Sequence, residues 1–202
     1  MNEELIYQQH LIPNTRLELI SILKGALSKT RFEHVLRVEQ TAIKLAKLND
    51  VDIEKASLAG LVHDYAKQRP DQDFITIINE NKMDPDLLNY SNAIWHGVVG
   101  AELVKQELNI WDEDILNAVR HHTTGAAVMS KLEQVIYMAD YIEPGREFPG
   151  VETARDVTKA NLSAGVSYQT KQTLQYLIEH NKAVYPETIT TYNAWVADNG
   201  GI

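Results

Sequence analysis

The most informative absence in this chain of 202 residues is cysteine, of which there is none. Disulfide bridges, iron–sulfur clusters, thiolate zinc sites and cysteine nucleophiles are therefore all excluded. A metal ion could be held only by histidine, aspartate, glutamate or backbone oxygen atoms. Any metal chemistry must accordingly be sought among the histidines and acidic residues.

Positive charge is also scarce, since 19 Lys and Arg residues stand against 28 Asp and Glu residues, for a formal net charge of -9. This balance argues against binding to a nucleic-acid backbone or to an anionic membrane. It does not exclude a small phosphorylated substrate, because bound divalent cations would reverse the field locally.

Long apolar runs are missing as well, and no segment approaches the roughly 20 apolar residues that a membrane-spanning helix needs. The stretch Met1–Ile6 carries acidic residues where a secretory signal would be positively charged. We therefore expect a cytoplasmic protein that does not enter membranes. Its length and its 44% hydrophobic content suit one domain over residues 1–202.

Helix start signals recur along the chain. Thr30 and Glu33 fit a capping box, which predicts a helix to about residue 48 with His34 in its first turns. Asp52 can cap a following helix whose apolar stripe leads into His63.

Further helices are predicted by the same signals and by apolar periodicity, whereas evidence for strands is thin. Ile189–Tyr192 has strand-like composition but is too short to decide between strand and helix. The chain is therefore predicted to be all-α, a single helical bundle. The remaining predicted helices begin at Asp84-Pro85, run from close to His96 through Leu108, cover Asp112–His121, extend from the capping box Ser130–Glu133 to Pro144-Gly145, cover Val151–Leu162 and Val166–Asn181, and follow Pro186.

An ordered series of histidines and aspartates lies on or beside these helices. Imidazoles and carboxylates together suit first-row divalent metals, and two such ions bridged by a carboxylate stand roughly 3.5–4 Å apart. Six side chains match two ions, which predicts a binuclear metal site between helices. The six are His34, His63, Asp64, His96, His122 and Asp140.

Each member of the series also has a structural explanation. His34 could be a capping or partly buried polar residue, and His63-Asp64 could be a hydrogen-bonded pair. Asp140 could form an ion pair with Arg146. The joint occurrence of all six in this order favours metal binding over these separate explanations.

The order of these residues resembles the HD superfamily of metal phosphohydrolases, and the local strings are closest to its YqeK-type branch. The similarity covers about residues 20–193, which would form the core of an HD domain. The strings that carry it are Arg31-Phe32-Glu33-His34-Val35, His63-Asp64-Tyr65-Ala66-Lys67, Trp95-His96-Gly97-Val98-Val99-Gly100-Ala101, His122-Thr123-Thr124-Gly125, Tyr137-Met138-Ala139-Asp140-Tyr141-Ile142-Glu143-Pro144 and Thr191-Tyr192-Asn193.

The resemblance implies a symmetrical bis(5'-nucleosyl)-tetraphosphatase that converts diadenosine tetraphosphate to two ADP, with a metal-bridging hydroxide as nucleophile. It implies a di-iron-like centre, although manganese, cobalt, nickel or zinc would suit the same ligands. One ion would be held by His34, His63, Asp64 and Asp140, and the other by Asp64, His96 and His122. His121 competes with His122 for one position, and the Thr-Thr-Gly string that follows favours His122.

Phosphoryl transfer also needs positive charge beyond the metals. Lys67 and Arg146 are the candidates for substrate binding and catalysis, together with Asp64 as the shared ligand. Lys67 lies three residues after Asp64 and four after His63, which places its ammonium on the same helical face as the metal ligands. The alternatives are a solvated surface lysine and an ion pair of Arg146 with Asp140, Glu143 or Glu147.

Two other functions stay open from the sequence. One is an HD-type hydrolase acting on a nucleoside monophosphate or a guanosine alarmone, and the other is a nucleotide-binding HD module without turnover. The expected partner is a small dinucleoside polyphosphate, with no nucleic acid and no membrane, and a homodimer is left open.

Overall fold

A computed structural model describes residues 5–197, so the segment Met1–Glu4 used in predicting the absence of a secretory signal lies outside the described residues. Helices and turns make up the secondary structure in this range, with no strand, which confirms the all-α prediction. A single domain over residues 1–202 stays a prediction.

Eleven α-helices follow one another in the described range, with short 3₁₀ and π-helical turns at Pro85–Asn89 and Asn193–Ala197. The helices are α1 Arg16–Ala26, α2 Lys29–Leu48, α3 Ile53–Val62, α4 Asp71–Glu80, α5 Asn92–Val98, α6 Gly100–Leu108, α7 Glu113–His121, α8 Lys131–Ile142, α9 Val151–Ala160, α10 Leu162–Glu179 and α11 Pro186–Tyr192.

Several predicted helix boundaries agree with the structure and others do not. The helix predicted from Asp84-Pro85 is only a short 3₁₀ turn, and the helix predicted at Val166–Asn181 begins four residues earlier, at Leu162. Asp52 and Ser130 are N-caps as predicted. The prediction of Thr30 as N-cap of α2 is wrong, because Ser28 caps that helix by accepting a hydrogen bond from the Arg31 backbone N–H. The uncertain Ile189–Tyr192 segment lies in α11.

The helix predicted from close to His96 through Leu108 is in fact two helices, α5 and α6, which meet at Val99. His96 lies in the last turn of α5 rather than at a helix start. The interruption coincides with a close approach, since a Cβ atom on Gly100 would lie 2.9 Å from the Ala66 Cβ. Glycine has a low helix propensity, which destabilises a continuous helix at this position.

The core has one large and one small apolar cluster. In the large one, α2, α3, α7 and α8 pack against one another, and α3 is buried on almost every face. The small cluster, which includes Phe74, Trp95 and Leu103, lies under α4, α5 and α6. Among the described residues no helix is both long enough and apolar enough to cross a membrane.

A close helix contact involves α2, which carries His34, and α3, which His63 directly follows. A Cβ atom on Gly60 would lie 3.0 Å from the Glu39 Cα and 3.3 Å from the Glu39 nitrogen, both of which are backbone atoms. Backbone cannot move aside as a side chain can, so glycine at this position sets the distance between the two helices.

We expect Gly60→Ala to lower the free energy of unfolding by about 1–3 kcal/mol, because the added methyl group overpacks this contact. Gly25→Ala is the matched control, since nothing lies within 4 Å of a Cβ atom there and alanine favours its helix by about 0.5–1 kcal/mol. Chemical denaturation measures both. A Gly60→Ala protein as stable as the wild type would contradict the expectation.

Candidate metal centre

The six side chains predicted from the sequence meet between five helices. His34 comes from α2, His63 and Asp64 directly follow α3, His96 comes from α5, His122 directly follows α7 and Asp140 comes from α8. Their donor atoms form three overlapping groups, each with its atoms within 4.8 Å of one another. All six are buried except Asp140, which is partly exposed.

Asp64 lies at the centre of the cluster and is 2% exposed. Its Oδ2 atom is 3.4 Å from His63 Nε2 and 3.6 Å from His34 Nε2. Its Oδ1 atom is 3.5 Å from His96 Nε2 and 3.8 Å from His122 Nε2. Each carboxylate oxygen therefore faces a different pair of histidines, which is the geometry that a bridging ligand needs.

The four histidines present the same nitrogen atom to the centre. The Nδ1 atoms of His63, His96 and His122 lie 2.8, 2.6 and 2.6 Å from the backbone carbonyls of Gly60, Asn92 and Val119. His34 Nδ1 lies 3.0 Å from the Glu143 carboxylate. These oxygens only accept hydrogen bonds, so each Nδ1 carries the proton and each Nε2 keeps a lone pair directed at the cluster.

Several donor atoms of the cluster form no hydrogen bond within the described residues, although His34 Nε2 lies 3.0 Å from Asp140 Oδ1. His34 Nε2, His63 Nε2 and Asp64 Oδ1 are buried without a hydrogen bond to any residue in 5–197. His96 Nε2 and His122 Nε2 face each other at 3.1 Å. Neighbouring ligand atoms around one ion bound at about 2.0–2.2 Å lie about 3 Å apart. The donor set and its unsatisfied atoms therefore fit divalent cations.

The pKa shifts of His96, His122 and Asp64 agree with this fit, whereas burial, which alone would lower the pKa of His63, is outweighed by the charge of Asp64, so that this pKa is raised. Burial, reinforced by the neighbouring His122, lowers the pKa of His96 to about 3. Burial, reinforced by His63, lowers the pKa of His122 to about 4. Burial alone would raise the pKa of Asp64, but the histidines around it, His63 first, hold that pKa well below its usual value. Neutral imidazoles and an ionised carboxylate are the forms that bind metals.

Glu143 is a member of the site that the sequence reasoning missed, although it belongs to the Tyr137–Pro144 string. It is 1% exposed and accepts from His34, from Arg37 Nε at 2.6 Å and from the Gly145 backbone N–H at 2.5 Å. A carboxylate behind a histidine fixes the orientation of the ring and increases its basicity. Glu143 thus holds His34 in place.

The two adjacent histidines at the C-terminal end of α7, His121 and His122, point in different directions. His122 is 1% exposed and faces the cluster. His121 turns outward and pairs with Glu133 at 2.6 Å, where Glu133 also completes the capping box of α8 with Ser130. The structure therefore brings His122 to the centre and leaves His121 outside it.

A pocket of about 270 Å³ opens onto the cluster, and three cationic side chains line it. Lys67 Nζ lies 3.1 Å from His96 Nε2, and Arg31 Nη1 donates to Asp64 Oδ2 at 2.6 Å. Arg146 Nε donates to the Asp140 backbone carbonyl at 2.8 Å, and its Nη2 donates to the Asp140 carboxylate.

The structure changes the reasons for placing Lys67 and Arg146 at the site, and it adds Arg31. Lys67 was expected on the ligand face of a continuous helix, and this reason is wrong, because α3 ends at Val62 and Lys67 lies in the turns that follow. The ion pair of Arg146 with Asp140 is present, yet Arg146 also lines the pocket. Arg31 was missed, although it precedes His34 by one helical turn.

A sequence model of the HD domain matches residues 31–145, a range that contains all six candidate ligands. The chain belongs to the HD-domain family. Arg146 and the whole of α10 lie beyond the matched range.

Several proteins are similar to this HD-domain protein over most of its length. The symmetrical bis(5'-nucleosyl)-tetraphosphatase of Bacillus subtilis is 43% identical over 178 residues, which are 88% of this chain and 96% of that protein. The protein of the same name from Halalkalibacterium halodurans is 42% identical and covers 88% of this chain and 95% of its own length.

A solved structure has the same fold. The crystal structure of a predicted HD superfamily hydrolase involved in NAD metabolism, from Clostridium acetobutylicum, matches with a TM-score of 0.84. It is 37% identical, and the match covers 90% of this chain and 96% of that one.

We expect His122→Ala to lose about one metal ion per chain, because its Nε2 lone pair is removed from the cluster. His121→Ala is the matched control and should keep the wild-type metal content. Elemental analysis after metal-supplemented expression measures both, with melting temperatures to verify folding. Equal losses from the two variants, or a larger loss from His121→Ala, would show that the sequence register had been misassigned.

Proposed function

We propose that this HD-domain protein hydrolyses diadenosine tetraphosphate symmetrically and releases two ADP. The observation that carries the proposal is a cluster of six side chains that could hold metal ions, five buried and one partly exposed, below a pocket lined by Arg31, Lys67 and Arg146. Relatives about 40% identical over most of the chain bear the name of that enzyme. A pocket of this kind suits a polyphosphate, since it offers cations where phosphate charge must be held.

We further propose two metal ions with Asp64 as their shared ligand. His34, His63 and Asp140 would complete one set, and His96 with His122 would complete the other. The separate directions of the two Asp64 oxygen atoms support this division. Iron is the first choice, and manganese, cobalt, nickel and zinc are compatible with the same imidazole and carboxylate donors.

When bound, these cations would act as Lewis acids that lower the pKa of a coordinated water molecule and polarise a phosphoryl oxygen. The protein's own cations have a separate role. Lys67, Arg31 and Arg146 surround the pocket and can donate hydrogen bonds to phosphate oxygens, which carry more charge as the P–O bond breaks. The guanidinium groups can also bind phosphate through two hydrogen bonds at once.

The name of the relatives, symmetrical bis(5'-nucleosyl)-tetraphosphatase, supports cleavage in the middle of the polyphosphate. We infer that Arg31, Lys67 and Arg146 hold the inner phosphates, so the attacked phosphorus is the second from one end. One ADP then leaves with the bridging oxygen, and the other takes its new oxygen from water. Cleavage at a terminal phosphorus would give ATP and AMP instead.

The other functions left open by the sequence make different experimental predictions. A hydrolase for nucleoside monophosphates or guanosine alarmones would turn over those compounds faster than diadenosine tetraphosphate. A nucleotide-binding module would turn over none of them. A product assay on all three substrate classes separates these functions from the proposed one.

We expect Lys67→Ala to keep the wild-type metal content but to lower kcat about tenfold or more. The variant lacks the amine that would stabilise the charge on the phosphate oxygens beside the cluster. Lys47→Ala, on an exposed position of α2, is the control that should change neither. Kinetics and elemental analysis are measured together. Unchanged turnover would mean that Lys67 does not act on the phosphates. Loss of metal would mean that Lys67 instead holds His96 in position.

Hydrolysis of diadenosine tetraphosphate in oxygen-18 water should give ADP alone at early times. The label should be on the β-phosphate of half of the ADP molecules, because water attacks one inner phosphorus per substrate. Mass spectrometry of the products measures this distribution. Early ATP and AMP would overturn symmetrical cleavage, whereas no turnover at all would overturn the proposed substrate.

A further inference from the structure

Gln169 on α10 is a buried polar side chain that the metal centre does not use. It is 5% exposed, lines the same pocket as the cluster, and its Oε1 oxygen is buried without a hydrogen-bond partner in residues 5–197. The other buried side-chain atoms in this condition within that range, on His34, His63 and Asp64, all belong to the proposed metal ligands.

Gln134, a second buried glutamine, has the hydrogen bonds that the Gln169 side-chain oxygen lacks. Gln134 is similarly buried at 8% exposure, yet its Nε2 donates to the Met129 carbonyl at 3.0 Å and its Oε1 accepts from Ser163 at 3.1 Å. Burial of an amide oxygen without a partner destabilises a folded protein, so such an atom in a pocket needs an explanation, and a bound ligand provides one.

The chemistry of the oxygen defines the kind of ligand group that it can bind. A carbonyl oxygen accepts hydrogen bonds and therefore needs an N–H or O–H group. Ionised phosphate oxygens offer no such donor, and the pocket already has Arg31, Lys67 and Arg146 for them. A nucleoside offers donors on its ribose hydroxyls and on the exocyclic amino group of adenine.

The wall around Gln169 suits a nucleoside as well. Thr173 follows one helical turn later on α10 and also lines the pocket, as does Tyr141 from α8. Tyr141 is half-buried. An aromatic ring and an amide in the same pocket offer both a surface for stacking and a hydrogen-bonding edge.

We propose that Gln169 is a specificity residue of a nucleoside subsite, where its side-chain oxygen accepts a hydrogen bond from the nucleoside end of the substrate. This inference rests on the proposed function, because it assumes that the phosphates occupy the cationic part of the same pocket. It assigns α10, which lies outside the matched HD region, to substrate recognition.

The test is calorimetric binding of ADP, GDP and inorganic tripolyphosphate to the metal-loaded wild type and to Gln169→Met. We expect the variant to bind ADP about three- to tenfold more weakly, which corresponds to the loss of one hydrogen bond, and to bind tripolyphosphate unchanged. Gln175→Met on the exposed face of α10 is the matched control and should bind all three as the wild type does.

Two further measurements complete the test. A larger loss of affinity for ADP than for GDP would assign the hydrogen bond to the adenine base, and equal losses would assign it to the ribose. The ligand-free Gln169→Met protein should melt at the wild-type temperature or above it, since an unsatisfied buried oxygen has been removed. A drop of several degrees would show a structural role and overturn the proposal.

Other outcomes also overturn it. Unchanged ADP affinity would mean that Gln169 touches no part of the nucleoside, and weaker tripolyphosphate binding would mean that it acts on the phosphates or metals. The proposed function has a separate outcome. If the wild type binds ADP through Gln169 but does not hydrolyse diadenosine tetraphosphate, the substrate assignment fails and the nucleoside subsite stands.

Discussion

The buried charge of Asp64 is the constraint on which the rest of this structure depends. A carboxylate with so little exposure to water is tolerated only when it is paired or bound to metal. Arg31 provides one hydrogen bond, and the remaining lone pairs face two pairs of histidine nitrogens. The helices around Asp64 must therefore converge closely enough to bring these groups together, which Gly60 permits by letting α3 approach α2.

Helix ends orient two of the histidines in this centre. His63 and His122 are the C-cap residues of α3 and α7, and their rings donate to carbonyls three residues earlier in the chain. The backbone itself thus orients two donor nitrogens without the help of another side chain. The C-terminal ends of helices also carry partial negative charge, which favours a cation at their meeting point. The chain as a whole is negatively charged, yet three cationic side chains line the pocket. The two facts are compatible because the electric field at a site depends mainly on the charges arranged around it.

Local signals predicted much of the fold. The capping residues Asp52 and Ser130 identified helix starts correctly, because capping depends on hydrogen bonds between residues close in sequence. The same kind of signal was overlooked at Thr15, which forms a capping box with Glu18 at the start of α1. The break between α5 and α6 was not predicted in this way, and it coincides with the close approach of Gly100 to Ala66 from another part of the chain.

The sequence by itself determined the helical class, the exclusion of thiolate chemistry and the set of histidines and aspartates, because composition, spacing and family strings are properties of the chain. Only the tertiary structure decided that His122 faces the centre and His121 does not, and that Glu143 supports His34. It also placed Gln169 in the same pocket as the metal cluster. These outcomes depend on helix orientation and on contacts between residues far apart in sequence, which no local pattern specifies.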